Sequence, residues 1–314
     1  MSLPWKRLIR FVATDGRILR GEPIVSNDVD LGFVTESDQI QARVISGDDI
    51  YDTTGKTRVT DEVVTVKTLL GPAGAGGGSY SALRGVKLRE AHPRSRAYAS
   101  SVPFHLLQAE YDGPRPRRPG GDPQDRADDQ ADYEGELVRE SPSAVDGSRI
   151  NSLPRQCLVI GKDAKNVPVE KALEYVAAYT VGNDISSRKL QRDPAFAGRV
   201  PQWGFSKGFD TYAPLGPCLV AGSEIPDPTQ LHLRTTVDGE VRQDESVSDL
   251  LFDCKYLISY LSQGTTLQKG SVIMTGTPGG VGAGLTPPKY LVPGTQMDVH
   301  ITKIGTLRNN VVFA

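Results

Sequence analysis

From Gly71 to about Ala131 the chain carries no hydrophobic period of either 2 or 3.6 residues, and this gap decides where a core can come from. Basic and Pro-rich stretches fill it: LREAHPRSRAYAS, then PRPRRPGGDPQDRADDQAD. Composition alone predicts disorder for its second half. A structureless stretch of about 60 residues inside a compact domain is rare enough to need its own explanation. The core must therefore be assembled from the two flanks. These are a small N-terminal β unit over 1–72 and a larger unit over 132–314, with 73–131 as an aberrant region between them.

The flanks read mainly as strands. Leu8, Ile9, Phe11 and Val12 run into a turn at Asp15-Gly16, and Ile18 and Leu19 return from it, which predicts a hairpin over 5–24. A second hairpin is expected between Gln41 and Val66, where Val63-Val64-Thr65-Val66 is a β-branched run. In the second flank LVIG (158–161) reads as a short strand. A helix is expected from Pro168, with Ala172, Tyr175, Val176 and Tyr179 on one face. Residues 215–243 read as strands with a hairpin turn at Asp238-Gly239. A second helix is expected from Ser248, carrying Leu251, Cys254, Leu257, Ile258 and Leu261 and ending near Gly264. The tail over 270–314 alternates strands with Gly/Pro loops. The fold class is thus α+β and β-rich.

Bulk properties exclude several classes. With 38% hydrophobic and 24% charged residues the chain is ordinary for a globular protein, and a formal charge of −2 offers no electrostatic ground for nucleic-acid or membrane partners. No apolar run approaches the length of a membrane span, and MSLPWKRLIRFVATDG has no continuous apolar stretch of the kind a secretory leader needs. Cys157, Cys218 and Cys254 are odd in number and widely spaced, so no disulfide framework is expected and a reducing, cytoplasmic setting is.

Four segments carry possible chemistry. In D-Y-E-G-E-L (132–137), Glu134 and Glu136 would share one face of a strand, and two neighbouring carboxylates favour a hard divalent cation between them. The same pattern also occurs on solvated strands. In G-N-D-I-S-S-R-K-L-Q (182–191), Asp184 offers a third carboxylate, with Arg188 and Gln191 as donors for an anionic substrate; a plain Asn/Asp turn explains the segment equally well. Lys207 stands in Q-W-G-F-S-K-G-F-D-T-Y-A-P-L-G-P (202–217), where it could reach a substrate carboxylate or simply be solvated. M-T-G-T-P-G-G-V-G (274–282) permits close backbone approach and offers the Thr277 hydroxyl, or is only a turn. It lacks the G-K-[ST] ending of a phosphate loop.

Taken in order, these blocks resemble the fumarylacetoacetate hydrolase family. Its pattern runs D-Y-E-x-E-L, V-I-G-K, N-D-x-S-x-R-x-x-Q, K-x-F-D-x-x-x-P-x-G and T-G-T-P-x-G-V, and all five occur here between 132 and 282. The resemblance implies that family's mixed β-roll over 132–314, preceded by a small N-terminal β unit, and a homodimer. It implies Glu134, Glu136 and Asp184 as ligands of Mg2+ (or Mn2+ or Ca2+). It further implies Arg188, Gln191, Lys207 and Thr277 as substrate contacts, with Lys207 and Arg188 the catalytic pair. The implied chemistry is metal-dependent hydrolysis or decarboxylation at a C–C bond of an acylpyruvate or β-keto-dicarboxylate, a small keto-acid substrate. Tautomerisation on the same site is the alternative, and an inactive relative is a third possibility.

Two departures bear on that expectation. Val138–Gln156 (VRESPSAVDGSRINSLPRQ) interrupts the family strand, and without it the chain reads D-Y-E-G-E-L-C-L-V-I-G-K. A retained intron is the leading expectation for this block, and a surface loop the alternative. Second, the family's G-L-N-Y-x-x-H, a following acidic residue and a Pro-rich F-x-K-P stretch are missing. Codons for Gly85 to Gly113 can nevertheless be chosen so that a one-nucleotide shift reads GLNYAKHIREAGRTPPPFPSIFFKPNTTV, so an out-of-frame segment is expected there. The family's lid histidine and glutamate, which activate water, are therefore lacking. His92 and His105 lie in the aberrant stretch, His232 and His300 are expected to be structural, and no general base is assigned.

Overall fold

The computed structural model describes residues 2–72, 137–140, 150–209 and 211–313, and among them strands dominate. In chain order the strands are β1 (Arg7–Ala13), β2 (Ile18–Pro23), β3 (Gln41–Ser46), β4 (Arg58–Leu70), β5 (Leu137–Glu140), β6 (Ile150–Asn151), β7 (Pro154–Ile160), β8 (Val176–Asn183), β9 (Ser186–Ser187), β10 (Leu215–Ala221), β11 (His232–Val237), β12 (Glu240–Ser246), β13 (Val272–Met274), β14 (Gln296–Ile301) and β15 (Gly305–Phe313). The helices are short: α1 (Arg188–Arg192), α2 (Pro194–Ala197) and α3 (Cys254–Leu261). This is the β-rich α+β class expected from the sequence.

Eight strands form one sheet in the order β13-β7-β8-β10-β1-β2-β3-β4, and β4 returns to pair with β1. That closure leaves the N-terminal strands with little open edge. They are joined to the rest through β1, where Arg7 and Leu8 stand opposite Val220 and Leu219 of β10. A second sheet runs β12-β11-β14-β15-β5, its last pair parallel. Between the sheets lies the main core, to which Phe11, Leu158, Ile160, Tyr179, Val299 and Ile301 contribute. The opposite face of the large sheet is covered as well, by a cluster containing Trp5, Leu8, Ile50, Cys157 and Val159.

Both expected hairpins form. β1 and β2 pair antiparallel across the Asp15-Gly16 turn, and β3 pairs with β4. At the β11–β12 turn, Asp238 (φ 50°) and Gly239 (φ 78°) both take left-handed backbone, as a two-residue hairpin of right-handed twist requires. The helix expected from Pro168 does not form beyond a 3-10 turn at Val169–Tyr175, and β8 begins at Val176. Every residue of β8 is buried, with Val181 toward the inter-sheet core and Ala178 toward the other cluster. A strand covered on both faces loses its alternation, so helical spacing among Ala172, Tyr175, Val176 and Tyr179 is a by-product of uniform apolarity. The second helix starts at Cys254 rather than Ser248, because the Asp253 carboxylate accepts from the Tyr256 amide and caps it there. Leu251 is accordingly outside the helix and 70% exposed.

The block Val138–Gln156 is divided by the structure. Leu137–Glu140 runs beside β15, whereas Ile150–Asn151 pairs with β9 and Pro154–Gln156 forms the first half of β7. Ile150 and Leu153 are fully buried. Whatever its genetic origin, the end of this block is core. Residues 73–131, with the expected frame shift and its histidines, lie outside the described residues.

Asp30 clamps the N-terminal unit to β15. Its carboxylate accepts from the Thr306 amide (2.8 Å), the Thr306 hydroxyl (2.6 Å) and the Gly32 amide (3.0 Å), with the His300 ring 3.4 Å away. Burial pushes its pKa up, but the hydrogen bonds from His300, Thr306 and Gly32 outweigh this and hold it well below the carboxylate range. The folded value thus lies below the unfolded one, so the clamp contributes fully above about pH 4 and is lost as pH falls toward the folded value. The stability difference between the natural chain and Asp30→Asn should therefore shrink on titrating from about pH 5 to about pH 2. Urea unfolding at each pH measures it, and a pH-independent difference would refute the clamp.

All three cysteines are free and buried. Burial pushes the Cys218 thiol up to about 11 and Cys254 up to about 12, and raises Cys157 as well. The native protein should leave a thiol-reactive chromophore unconsumed, with all three cysteines reacting in denaturant; fast native labelling would contradict this burial.

Candidate active site

The site forms where β8 ends. Its last residue, Asn183, is followed by Asp184, whose amide donates to the Leu153 carbonyl (3.1 Å), and by Ile185, whose amide donates to Tyr212 (2.9 Å). These two bonds, one from each side, fix the direction of the Asp184 side chain. Ser186 and Ser187 then pair with β6, and Ser187 caps α1 by accepting from the Leu190 amide. Ile150, Ile185, Leu190, Tyr212, Leu291 and Met297 form the apolar floor beneath.

Asp184 is 6% exposed and is gripped from two sides. Lys207, on a 3-10 turn at Phe205–Lys207, bonds one carboxylate oxygen and also donates to the Ser186 hydroxyl (2.6 Å). Arg155 of β7 meets the other oxygen at 3.1 Å, and its second terminal nitrogen holds the Thr275 carbonyl. Arg188 and Gln191 are buried on α1, with the guanidinium donating to the Gln191 amide oxygen (2.7 Å). The Gln191 amide nitrogen reaches the Ser206 hydroxyl (3.4 Å), beside Lys207.

The structure thus brings Asp184, Lys207, Arg188 and Gln191 into one neighbourhood. Thr277 lies on the loop after β13, connected to this group through Thr275, and its hydroxyl accepts from Gln243 (3.0 Å). Glu134 and Glu136 lie outside the described residues. His232 and His300 sit on β11 and β14, engaged by Asp244 (2.7 Å) and Thr306 (3.1 Å). Sequence reasoning missed Ser186, Ser206 and Arg155. Ser186 was visible inside the N-D-I-S-S-R block; Arg155 was hidden because it falls in the segment that breaks the family strand.

Asp184 in this arrangement does not fit a divalent ion. Both of its oxygens are held by cations, and an incoming ion would have to displace the Arg155 guanidinium and sit beside the Lys207 ammonium. Among the described residues no three His, Cys, Asp or Glu side chains converge on a metal-sized position.

A two-sheet β-rich fold with an N-D-x-S-x-R-x-x-Q turn and a lysine meeting its aspartate defines the class of protein. Residues 157–312 match the family model for the fumarylacetoacetate (FAA) hydrolase C-terminal region. Oxaloacetate tautomerase YisK of Bacillus subtilis (strain 168) is 42% identical over 182 residues, which are 58% of this chain and 52% of that protein. The solved structure of fumarylpyruvate hydrolase from Pseudomonas aeruginosa in complex with Mn2+ and pyruvate is 31% identical, with a TM-score of 0.50 over 58% of this chain and 72% of that one. The 2-hydroxyhepta-2,4-diene-1,7-dioate isomerase from Mycobacterium marinum aligns over 98% of both chains at a TM-score of 0.61 and 25% identity. The chain belongs to the fumarylacetoacetate hydrolase family, and it spans about half the length of the curated tautomerase it matches. Members of this group carry hydrolase, isomerase and tautomerase names. No helix among the described residues is long and apolar enough to cross a membrane.

Proposed function

We propose that the cluster binds a small α-keto acid and that the protein is a hydrolase or decarboxylase acting at a C–C bond of acylpyruvate- or β-keto-dicarboxylate-type substrates, the class of fumarylacetoacetate, acylpyruvates and oxaloacetate. The observation that carries this is the convergence of Lys207, Arg188 and Gln191 on the end of β8, all set by the hydrogen bonds above. Such donors suit a carboxylate and the oxygen on which enolate charge develops as a bond to the neighbouring carbon breaks. Lys207 is the group for that oxygen, and Arg188, oriented by Gln191, takes the substrate carboxylate. The apolar floor excludes water from one side and strengthens both interactions. Binding as a homodimer belongs to the same proposal. Dependence on Mg2+ would need an arrangement in which Arg155 has left Asp184.

Keto–enol tautomerisation is the second reading, favoured by the 42% identity to an oxaloacetate tautomerase. It moves one proton and needs no activated water, so it asks less of the residues around the site. Purified protein given oxaloacetate separates the two: loss of enol absorbance without pyruvate release marks a tautomerase, and pyruvate release marks a decarboxylase, with acylpyruvate cleavage assayed alongside. Lys207→Met should lower kcat/KM by about 100-fold or more in folded protein. A natural chain that neither binds nor turns over any of these keto acids would overturn the proposal.

A further inference from the structure

Arg155 stands at a position with a second possible tenant. Deleting Val138–Gln156 puts Leu137 directly before Cys157. Counting back along the strand, Leu137 then takes the place of Gln156, Glu136 that of Arg155, and Glu134 that of Leu153. In the full chain these places are filled: Gln156 pairs with Val181, Arg155 with Gly182, and the Leu153 carbonyl accepts from the Asp184 amide. Leu137 meanwhile pairs with Asn310 of β15, in the other sheet. One position therefore carries a guanidinium or a carboxylate beside Asp184, according to which segment leads into Cys157.

We propose that in the full chain Arg155 is the built-in counter-ion of Asp184, replacing a carboxylate and the divalent cation that two carboxylates would hold. Arg155 is 3% exposed, and its two terminal nitrogens bridge Asp184 and the Thr275 carbonyl, so its charge meets fixed partners rather than solvent, although its Nε is buried with no hydrogen-bond partner among the described residues. A divalent ion gains nothing here. It meets a fixed positive charge on one Asp184 oxygen, from Arg155, and the Lys207 ammonium on the other. The segment ending at Gln156 thus acts as a switch of site chemistry, from cation-holding to cation-excluding. This holds whichever keto acid the site takes.

The test is Mn2+ titration followed by electron paramagnetic resonance, without any keto acid, on the full chain, on Arg155→Glu and on the chain lacking Val138–Gln156. Circular dichroism and a thermal melt verify the fold of each. The full chain is expected to take up no Mn2+ that Asp184→Asn abolishes. Arg155→Glu and the shortened chain are expected to bind one equivalent at least about 100-fold more tightly, since changing even an outer-shell partner alters metal affinity by about 10–100-fold. One Mn2+ equivalent on the full chain that depends on Asp184 overturns the proposal, and this measurement needs neither of the redesigned variants to fold. A folded shortened chain that also takes no Mn2+ overturns the strand-position argument. Because no substrate is present, failure here is separate from failure of the keto-acid reading, which pyruvate or oxaloacetate binding tests on its own.

Discussion

Asp184→Ala should destabilise the protein by about 3–5 kcal/mol, the cost of removing one member of a buried ion pair. Arg155 and Lys207 both reach this carboxylate from positions that are nearly closed to solvent, with side-chain exposures of 4% and 7%. Neither can follow the charge out to water. Arg155 is anchored by Thr275 and by the β7–β8 ladder, and Lys207 by Ser186. Asp184→Asn keeps the shape and some hydrogen bonding but removes the negative charge, so it should cost less than the alanine variant and more than an exposed ion pair, which is worth about 0–1 kcal/mol. Unfolding in urea, monitored by circular dichroism, gives the difference from the shift in midpoint at constant slope. The Arg155→Met/Asp184→Ala pair provides the check on mechanism: if the penalty is an uncompensated guanidinium, the double variant recovers part of the single loss. A loss under about 1 kcal/mol for Asp184→Ala would mean that the cluster is open to water and that the buried charge account is wrong.

Gly32→Ala should be comparably severe for a steric reason. A Cβ at Gly32 would fall 1.8 Å from the Thr306 carbonyl oxygen and 2.7 Å from its carbon, and both are backbone atoms. No rotamer change can relieve that contact, because Thr306 is held in β15 by His300 on β14 and clamped by Asp30. Either the 30–33 turn or the start of β15 must move, which breaks the Asp30 clamp and opens the packing of Leu31 in the main core. A loss above about 3 kcal/mol is expected, in the range that only backbone strain, cavities or buried charges produce. Gly16→Ala is the matched control. Gly16 has a φ of 87° but nothing within 4 Å of a Cβ, so only conformational strain of about 1 kcal/mol applies. Similar thermal shifts for the two variants would remove close approach as the cause.

Part of this protein is legible in its sequence alone. The hairpins at Asp15-Gly16 and Asp238-Gly239 are local events, decided by which residues tolerate left-handed backbone, and they were readable residue by residue. The same holds for the apolar face of α3, where Cys254, Leu257, Ile258 and Leu261 are buried as their spacing demands. The family was legible in the order of its motifs, and that resemblance implied Asp184, Arg188, Gln191 and Lys207, which the fold places close together. Tertiary structure decided the rest. Burial of β8 on both faces erased the alternation that separates strand from helix, so a segment that looks helical became an interior strand beside the site. Arg155 could not be found by motif, because its importance lies in which strand it pairs with and not in its neighbours along the chain. Register places it opposite Gly182, two residues before Asp184, and a buried charge then has to find its partner there. Pairing across a sheet is a long-range choice among competing segments, and two segments here, 134–137 and 153–156, have a claim to the same strand positions. Only the folded arrangement shows that Arg155 holds the one beside Asp184.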